Sequence, residues 1–239
     1  MSARVALVDL KSFSKKGRVS DFTRFYKTAP GEYGEGDLFL GLSVPQTRSI
    51  AKKHHNLELG EIEKLFNSPF HEARLCAAII LNLQFKAAKK TQDRKKIFDF
   101  YLKQVRAERV NNWDIVDVSA PWMGIYLTEV EDPLPLLIKL SKSKSLWQRR
   151  VSIILTFALI RDGDLKPTII ISKARLNDDQ DLIHKAAGWM LRELGKKDVM
   201  LLRQFLTDHS HQMPRTMLRY SIEKLPERER KKWLIESKE

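Results

Sequence analysis

The sequence predicts an all-α fold, and three observations carry that prediction. Nearly every segment places its apolar residues at helical spacing, alternating strand patterns are almost absent, and short breaks at Pro, Gly, Asn or Asp separate the segments. From residue 70 onward the longer apolar segments also superpose as a repeat. Helix pairs that repeat in this way stack into a curved α-solenoid, each pair burying its apolar side against its neighbours.

Taken in order, residues 1–18 are expected to form a partly ordered N-terminal segment, and residues 19–239 a single repeat domain. The spacing predicts helices over 19–29, 44–55, 59–67, 70–88, 93–109, 112–130, 133–142, 145–161, 165–176, 180–195, 198–208, 212–224 and 227–237. Pro45, Pro69 and Pro133 sit where a first helical turn tolerates a missing N–H. Asp93, Asp132 and Asp198 suit N-terminal caps or first-turn acids. The stretch Gly31-Glu32-Tyr33-Gly34-Glu35-Gly36-Asp37 carries three glycines among polar residues and reads as a loop at a mobile edge.

In the superposed repeat, Arg74, Trp113, Arg150, Lys185 and Arg215 share one position, at intervals of 39, 37, 35 and 30 residues. Four residues further on stand Ala78, Asp117, Ile154, Trp189 and Arg219. Four of the five residues at the first position are basic, which predicts a basic concave groove that tracks phosphates.

Composition agrees. Lys and Arg number 43 against 30 Asp and Glu, and residues 139–239 hold 22 basic against 13 acidic residues, a net of +9. Such an excess attracts polyanions, of which nucleic acid is the commonest inside a cell. The basic residues are spread over several helices, which disfavours a membrane surface, and no window approaches a membrane span. The single cysteine, Cys76, fits a reducing compartment and core packing.

The segment Trp113-Asp114-Ile115-Val116-Asp117 is the chemical signal. Trp113 and Asp117 lie one helical turn apart and share a face. A carboxylate beside a wide indole suits a cationic ligand. Asp117 alternatively forms a structural ion pair with Arg150, and Trp113 alternatively staples its helix start. Asp114 reads as first-turn electrostatics or a cap, Trp122 and Trp147 as core, and the six histidines as surface residues that form no metal site. No Gly-rich nucleotide loop and no Cys cluster are present.

The chain resembles the AlkD-type DNA alkylation-repair glycosylases, which are built from HEAT-like helical repeats. The resembling residues are Leu40-Gly41-Leu42-Ser43-Val44-Pro45 with Arg48, Trp113-Asp114-Ile115-Val116-Asp117, Leu146-Trp147-Gln148-Arg149-Arg150, His184 through Glu193, and Pro214-Arg215-Thr216-Met217-Leu218-Arg219-Tyr220. The resemblance implies a solenoid of HEAT-like antiparallel helix pairs that excises N3- or N7-alkylated purines from double-stranded DNA without metal or cofactor. It implies Trp113 and Trp189 as the aromatic pair, Asp117 as the catalytic carboxylate and Arg150 as a backbone contact, with Arg192 beside the second tryptophan.

Together with the repeat register, this gives Arg74, Arg149, Arg150, Lys185, Arg192, Arg215 and Arg219 as the expected DNA-binding set. A monomer acting in the bacterial cytosol or nucleoid is expected. The competing expectations are a non-catalytic binder of damaged or branched DNA and a scaffold for acidic protein segments.

Overall fold

The computed structural model describes residues 2–236 and is helical among them, with no strand longer than a single bridge between Leu38 and Phe70. The chain divides by its internal contacts into two compact units, Met1–Met123 and Gly124–Glu239.

In the first unit, α1 (Ala3–Ser12), α2 (Val19–Phe25), α3 (Val44–Lys53), α4 (Leu59–Phe66), α5 (His71–Ala87), α6 (Thr91–Arg106) and α7 (Trp113–Met123) follow one another. Helices α3, α5 and α7 lie side by side as one layer, while α1, α4 and α6 form the second. The 17-residue α5 is the centre of the unit, and its run from His71 to Asn82 is buried throughout. An all-round buried helix has no single apolar stripe.

Helix α1 lies where only partial order was expected. Ser2 caps it, burial of Ala3, Ala6 and Leu10 gives it an inner face, and the Ala3 N–H donates to Glu61 of α4 at 2.7 Å. Asp9 on α1 meets His54 at 2.7 Å and Lys53 at 2.8 Å, so His54 is buried rather than at the surface. The ring is a peg between α1 and α3.

Helix α3 starts with a capping box between Ser43 and Gln46 and carries Pro45 in its first turn. The glycine-rich loop expected over 31–37 is present, but it is anchored: Asp37 at its end is buried, and the Leu38–Phe70 bridge holds the loop beside the start of α5. The helix predicted over 112–130 stops at Met123 and continues as a 3-10 segment, Gly124–Glu129. Pro121 lies inside α7 and has no N–H to give the Asp117 carbonyl, which weakens the helix ahead of that change.

The second unit runs through α8 (Leu134–Ser141), α9 (Leu146–Asp162), α10 (Lys166–Lys173), α11 (Asp181–Lys197), α12 (Val199–His209), α13 (Arg215–Ser221) and α14 (Glu227–Glu236). The 3-10 segment, α9, α11 and α13 pack successively in one layer, with α8, α10 and α12 against them. Two layers of successively stacked helices are the local arrangement of an α-solenoid. Ser145 caps α9, Gly163 ends it at φ 105°, and Asp198 caps α12. The contact between α11 and α13 is close because Gly188 has no side chain: a Cβ there would come within 2.5 Å of the Met217 carbonyl oxygen.

Candidate functional site

Helix α7 begins at Trp113, whose N–H donates to the Asn112 side chain at 2.9 Å, and Asp114 occupies the first turn. Trp113 and Asp117 stand one turn apart, and both are half-buried, so each has a surface a ligand can reach. The helix is pinned from behind. Asn82 of α5 donates to the Val118 carbonyl at 2.7 Å, and the Ser119 hydroxyl bonds to Ile115 O at 2.6 Å and to the buried Tyr101 hydroxyl at 3.1 Å. Burial raises the Tyr101 pKa, the Ser119 hydrogen bond opposes this, and the negative charge of Asp117 raises it further, so the phenol stays protonated.

Trp113 does not act as a simple staple. Tyr26 stacks on it with ring centroids 5.7 Å apart and planes at 21°, and Phe25 meets its edge at 5.6 Å. The Tyr26 ring also stacks on Phe39, at 5.1 Å and 18°. Phe25 is 61% exposed, so this edge of the aromatic wall is open to solvent. A cleft of about 490 Å³ opens beside this wall between Phe22, Phe25, Tyr26, Leu42, Val44 and Leu75.

Under the aromatic wall runs a chain of alternating charge. The Tyr26 hydroxyl donates to Asp114 Oδ2 at 3.1 Å, and His71 Nε2 reaches the same oxygen at 2.9 Å. His71 Nδ1 faces Asp37 Oδ2 at 3.3 Å, and Arg74 donates to Asp37 Oδ1 at 2.5 Å and to Ser68 O at 2.9 Å. Both imidazole nitrogens meet a carboxylate, which calls for the doubly protonated ring.

Burial by itself lowers the His71 pKa, but the charge of Asp114 and the hydrogen bonds to Asp114 and Asp37 outweigh it and bring the value up to about 9, against the opposing charge of Arg74. Burial, then the charge and hydrogen bond of Asp114, push the Tyr26 phenol well above its ordinary range. It remains a donor at all physiological pH.

This cluster corrects three expectations. Asp114 does more than stabilise a helix start, because it binds Tyr26 and His71. His71 is buried, not a surface histidine. Arg74 is 4% exposed and spent on Asp37 and Ser68, so it does not line a surface groove. Tyr26 and His71 were missed: the stripe Phe22, Phe25, Tyr26 at i, i+3 and i+4 was the available signal for the first, whereas nothing local marks the second.

In the second unit Trp189 is half-buried on α11, with its indole N–H toward Glu193 at 3.3 Å and Phe157 packed at 6.1 Å. Arg150 differs from expectation. It is 4% exposed and donates to the Leu182 carbonyl at 2.5 Å, so in this structure the guanidinium points into the unit. Arg149 bonds to Asp178 at 2.8 Å, Lys185 to Asp181 at 2.7 Å, and Arg192 to Glu223. Arg215 is exposed and donates to Leu234 O at 2.8 Å. Arg219 is exposed and has no ion-pair or hydrogen-bond partner among the described residues.

Of the two tryptophans read as core, Trp147 is buried, but Trp122 is half-buried with the Lys86 ammonium 3.4 Å above its ring. Cys76 is buried, and burial pushes its thiol up to about 12, which removes it as a nucleophile. Among the described residues no three His, Cys, Asp or Glu side chains are grouped to hold a metal ion, and no helix is long and apolar enough to cross a membrane.

A family model described as DNA alkylation repair enzyme matches residues 6–225. No curated protein matches the chain. A solved structure titled a predicted DNA alkylation repair enzyme from Enterococcus faecalis superposes with a TM-score of 0.70 at 16% identity, covering 90% of this chain and 97% of that one, a likeness of fold. The match over nearly the whole length establishes that this chain belongs to the DNA alkylation repair enzyme family.

Proposed function

We propose that this repair enzyme is a monofunctional DNA glycosylase, which hydrolyses the N-glycosidic bond of N3- or N7-alkylated purines in duplex DNA. The observation that carries the reading is the outward face of α7, where Asp117 stands one turn beyond Trp113 and Tyr26 extends the indole into a stacked wall. An N3- or N7-alkylated purine is already cationic and departs as a neutral base, so no strong general acid is required. What the reaction lacks in water is stabilisation of the positive charge that grows on the sugar.

Asp117, ionised, supplies the countercharge and positions the attacking water. Electron-rich ring faces attract the cationic lesion and sugar, worth about 0.5–2 kcal/mol per contact when water is excluded. Tyr26 and Trp113 provide such faces in the first unit, and Trp189, half-exposed in the second, is proposed as a further aromatic contact. The chain's own residues suffice for this chemistry, with no metal or organic cofactor. The enzyme acts as a monomer in the cytosol or nucleoid, where its DNA substrate lies.

DNA backbone contacts are assigned first to Arg219 and Arg215, which are exposed, then to Lys185, Arg192 and Arg149, whose carboxylate partners phosphates would replace. Arg150 joins this set only if its side chain turns outward on binding. The decisive experiment incubates the protein with methylated duplex DNA and measures freed N7-methylguanine and N3-methyladenine by mass spectrometry. Base release above the spontaneous rate is expected. Tight duplex binding with no freed base would instead make the protein a non-catalytic binder of damaged DNA.

A further inference from the structure

We propose that His71 and Asp114 are positioning residues for the glycosylase reaction, locking the Tyr26 hydroxyl and thereby the ring face on which Trp113 rests. The kinetic part rests on the function proposed above; the positioning of Trp113 does not.

Stacking between flat rings resists separation but allows sliding within the plane. Tyr26 stacks on Phe39 and Trp113 and meets Phe22, Phe25 and His71 at an angle, and its hydroxyl is the one point on the ring held by a directional bond in this cluster. That hydroxyl is fixed by Asp114, the residue that follows Trp113 on α7. One helical turn thus carries both the indole and the carboxylate that sets the register of the ring stacked on it.

Asp114 needs a cation. Its side chain is nearly as inaccessible as those around it, and a buried carboxylate held only by a phenol and the Ile115 N–H keeps an uncompensated charge. His71 supplies the positive charge at 2.9 Å, Asp37 fixes the far side of the ring, and Arg74 balances Asp37. With His71 protonated, Arg74, Asp37, His71 and Asp114 sum to zero charge. Loss of the proton leaves a bare ring nitrogen against one of two carboxylates, and one of the two contacts must open.

The groups facing His71 are Asp114 from α7, Asp37 from the loop before α3, Tyr26 from just after α2, and Arg74 and Glu72 from its own helix, with Arg109 adding charge near Arg74. Glu72 is committed to three backbone N–H groups of residues 40–42 and leaves His71 to the two aspartates. A hydrophobic cluster of equal volume would hold these elements together as well. The ionic chain adds orientation at a single hydroxyl, and a displacement of about 1 Å near reacting groups lowers rates by up to a hundredfold.

The test uses full-length protein labelled with 5-fluorotryptophan, with the Trp113 resonance assigned through Trp113→Phe. In the wild type this resonance is expected to shift with pH in a single step near pH 9, where His71 releases its proton. The step should vanish in His71→Gln. Tyr26→Phe removes only a hydroxyl and keeps the proposal testable if the histidine variant fails to fold; there too the Trp113 step should be lost. Single-turnover release of N7-methylguanine at pH 7.5 should slow about tenfold in both variants, with duplex affinity changed less than twofold.

A Trp113 resonance that does not move in the wild type, or that moves equally in Tyr26→Phe, overturns the proposal. So does unchanged base release in both variants when the wild type is active. If the wild type frees no base while the fluorine step behaves as described, the glycosylase reading fails and the lock on Trp113 stands.

Discussion

His71 and Asp114 face each other across 2.9 Å inside the first unit, 43 residues apart in sequence and joined at Asp114 Oδ2, which also accepts from the Tyr26 hydroxyl. The pair makes the protein's stability depend on pH in a defined direction. The folded state holds the His71 proton to about pH 9, whereas the unfolded chain releases it near 6.5. Between those values the folded state binds more protons, so the stabilisation is complete below pH 6.5 and is lost as pH rises through 9.

Urea unfolding monitored between pH 6 and 10 is therefore expected to show a fall of a few kcal/mol toward the alkaline end, and His71→Gln should flatten that fall. A wild-type profile that is level across the window would mean that folding does not raise the His71 pKa.

Asp117→Asn is expected to slow base release by about a hundredfold or more while duplex binding persists. The amide keeps the size of the side chain and removes the charge that the departing base leaves behind on the sugar. Single-turnover rates on methylated duplex DNA, paired with a binding titration, separate the two effects. Equal losses in rate and affinity would place Asp117 among the binding groups rather than opposite the sugar.

Glu72 makes a structural prediction beside the aromatic wall. Its carboxylate is buried and accepts the N–H groups of Leu40, Gly41 and Leu42, at 2.9, 2.8 and 3.2 Å. Gly41 is held at φ 83°, with the Lys15 carbonyl oxygen 2.4 Å from where a Cβ would stand. Glu72→Gln keeps one acceptor oxygen but sets an NH2 against the Leu40 N–H and removes the charge from all three bonds, which should cost roughly 2–3 kcal/mol. For a chain of this length that corresponds to a fall in Tm of about 4–12 °C. An unchanged Tm would show that the strand-like turn at residues 40–42 is held by other contacts.

Arg150 and Arg219, both expected on the DNA side, should behave differently. Arg150 is buried and serves the Leu182 carbonyl, so Arg150→Ala is expected to lower Tm by several degrees. Arg219 is exposed, and Arg219→Ala should leave Tm unchanged while reducing the salt dependence of DNA binding by about one phosphate contact. A salt slope that falls for Arg150 and not for Arg219 would reverse the two roles.

The thirteen predicted helices all appear, because each is long enough for its apolar period and end signals to show in sequence. Trp113 and Asp117 could be paired by their spacing alone, as both lie on one helix. The layer beneath them could not. Tyr26, Asp37, His71 and Asp114 come from the residue that ends α2, a loop, α5 and α7, and they are joined by hydrogen bonds and ring stacking between distant segments, which leave no periodic mark. For the same reason the repeat register misplaced Arg74 and Arg150: it identifies the helical position but not whether a long side chain turns inward or outward. The α1 helix escaped notice because its outward Val5 and Val8 blur its apolar face.

Gly188 links the fold of the second unit to Trp189, the residue after it. A methyl group at 188 would stand 2.5 Å from the Met217 carbonyl oxygen and 2.6 Å from the Tyr220 Cβ, both parts of α13 that cannot rotate away. Gly188→Ala must therefore push α11 and α13 apart along their closest contact, at a cost of about 1–3 kcal/mol. Alanine is the better helix former by about 1 kcal/mol, so helix propensity opposes part of that loss. Tm is expected to fall despite the more favourable residue, and base release should weaken with it, since α11 carries the indole proposed to touch DNA. A variant that is stabilised, as propensity alone would give, would show that the two helices have room to separate without strain.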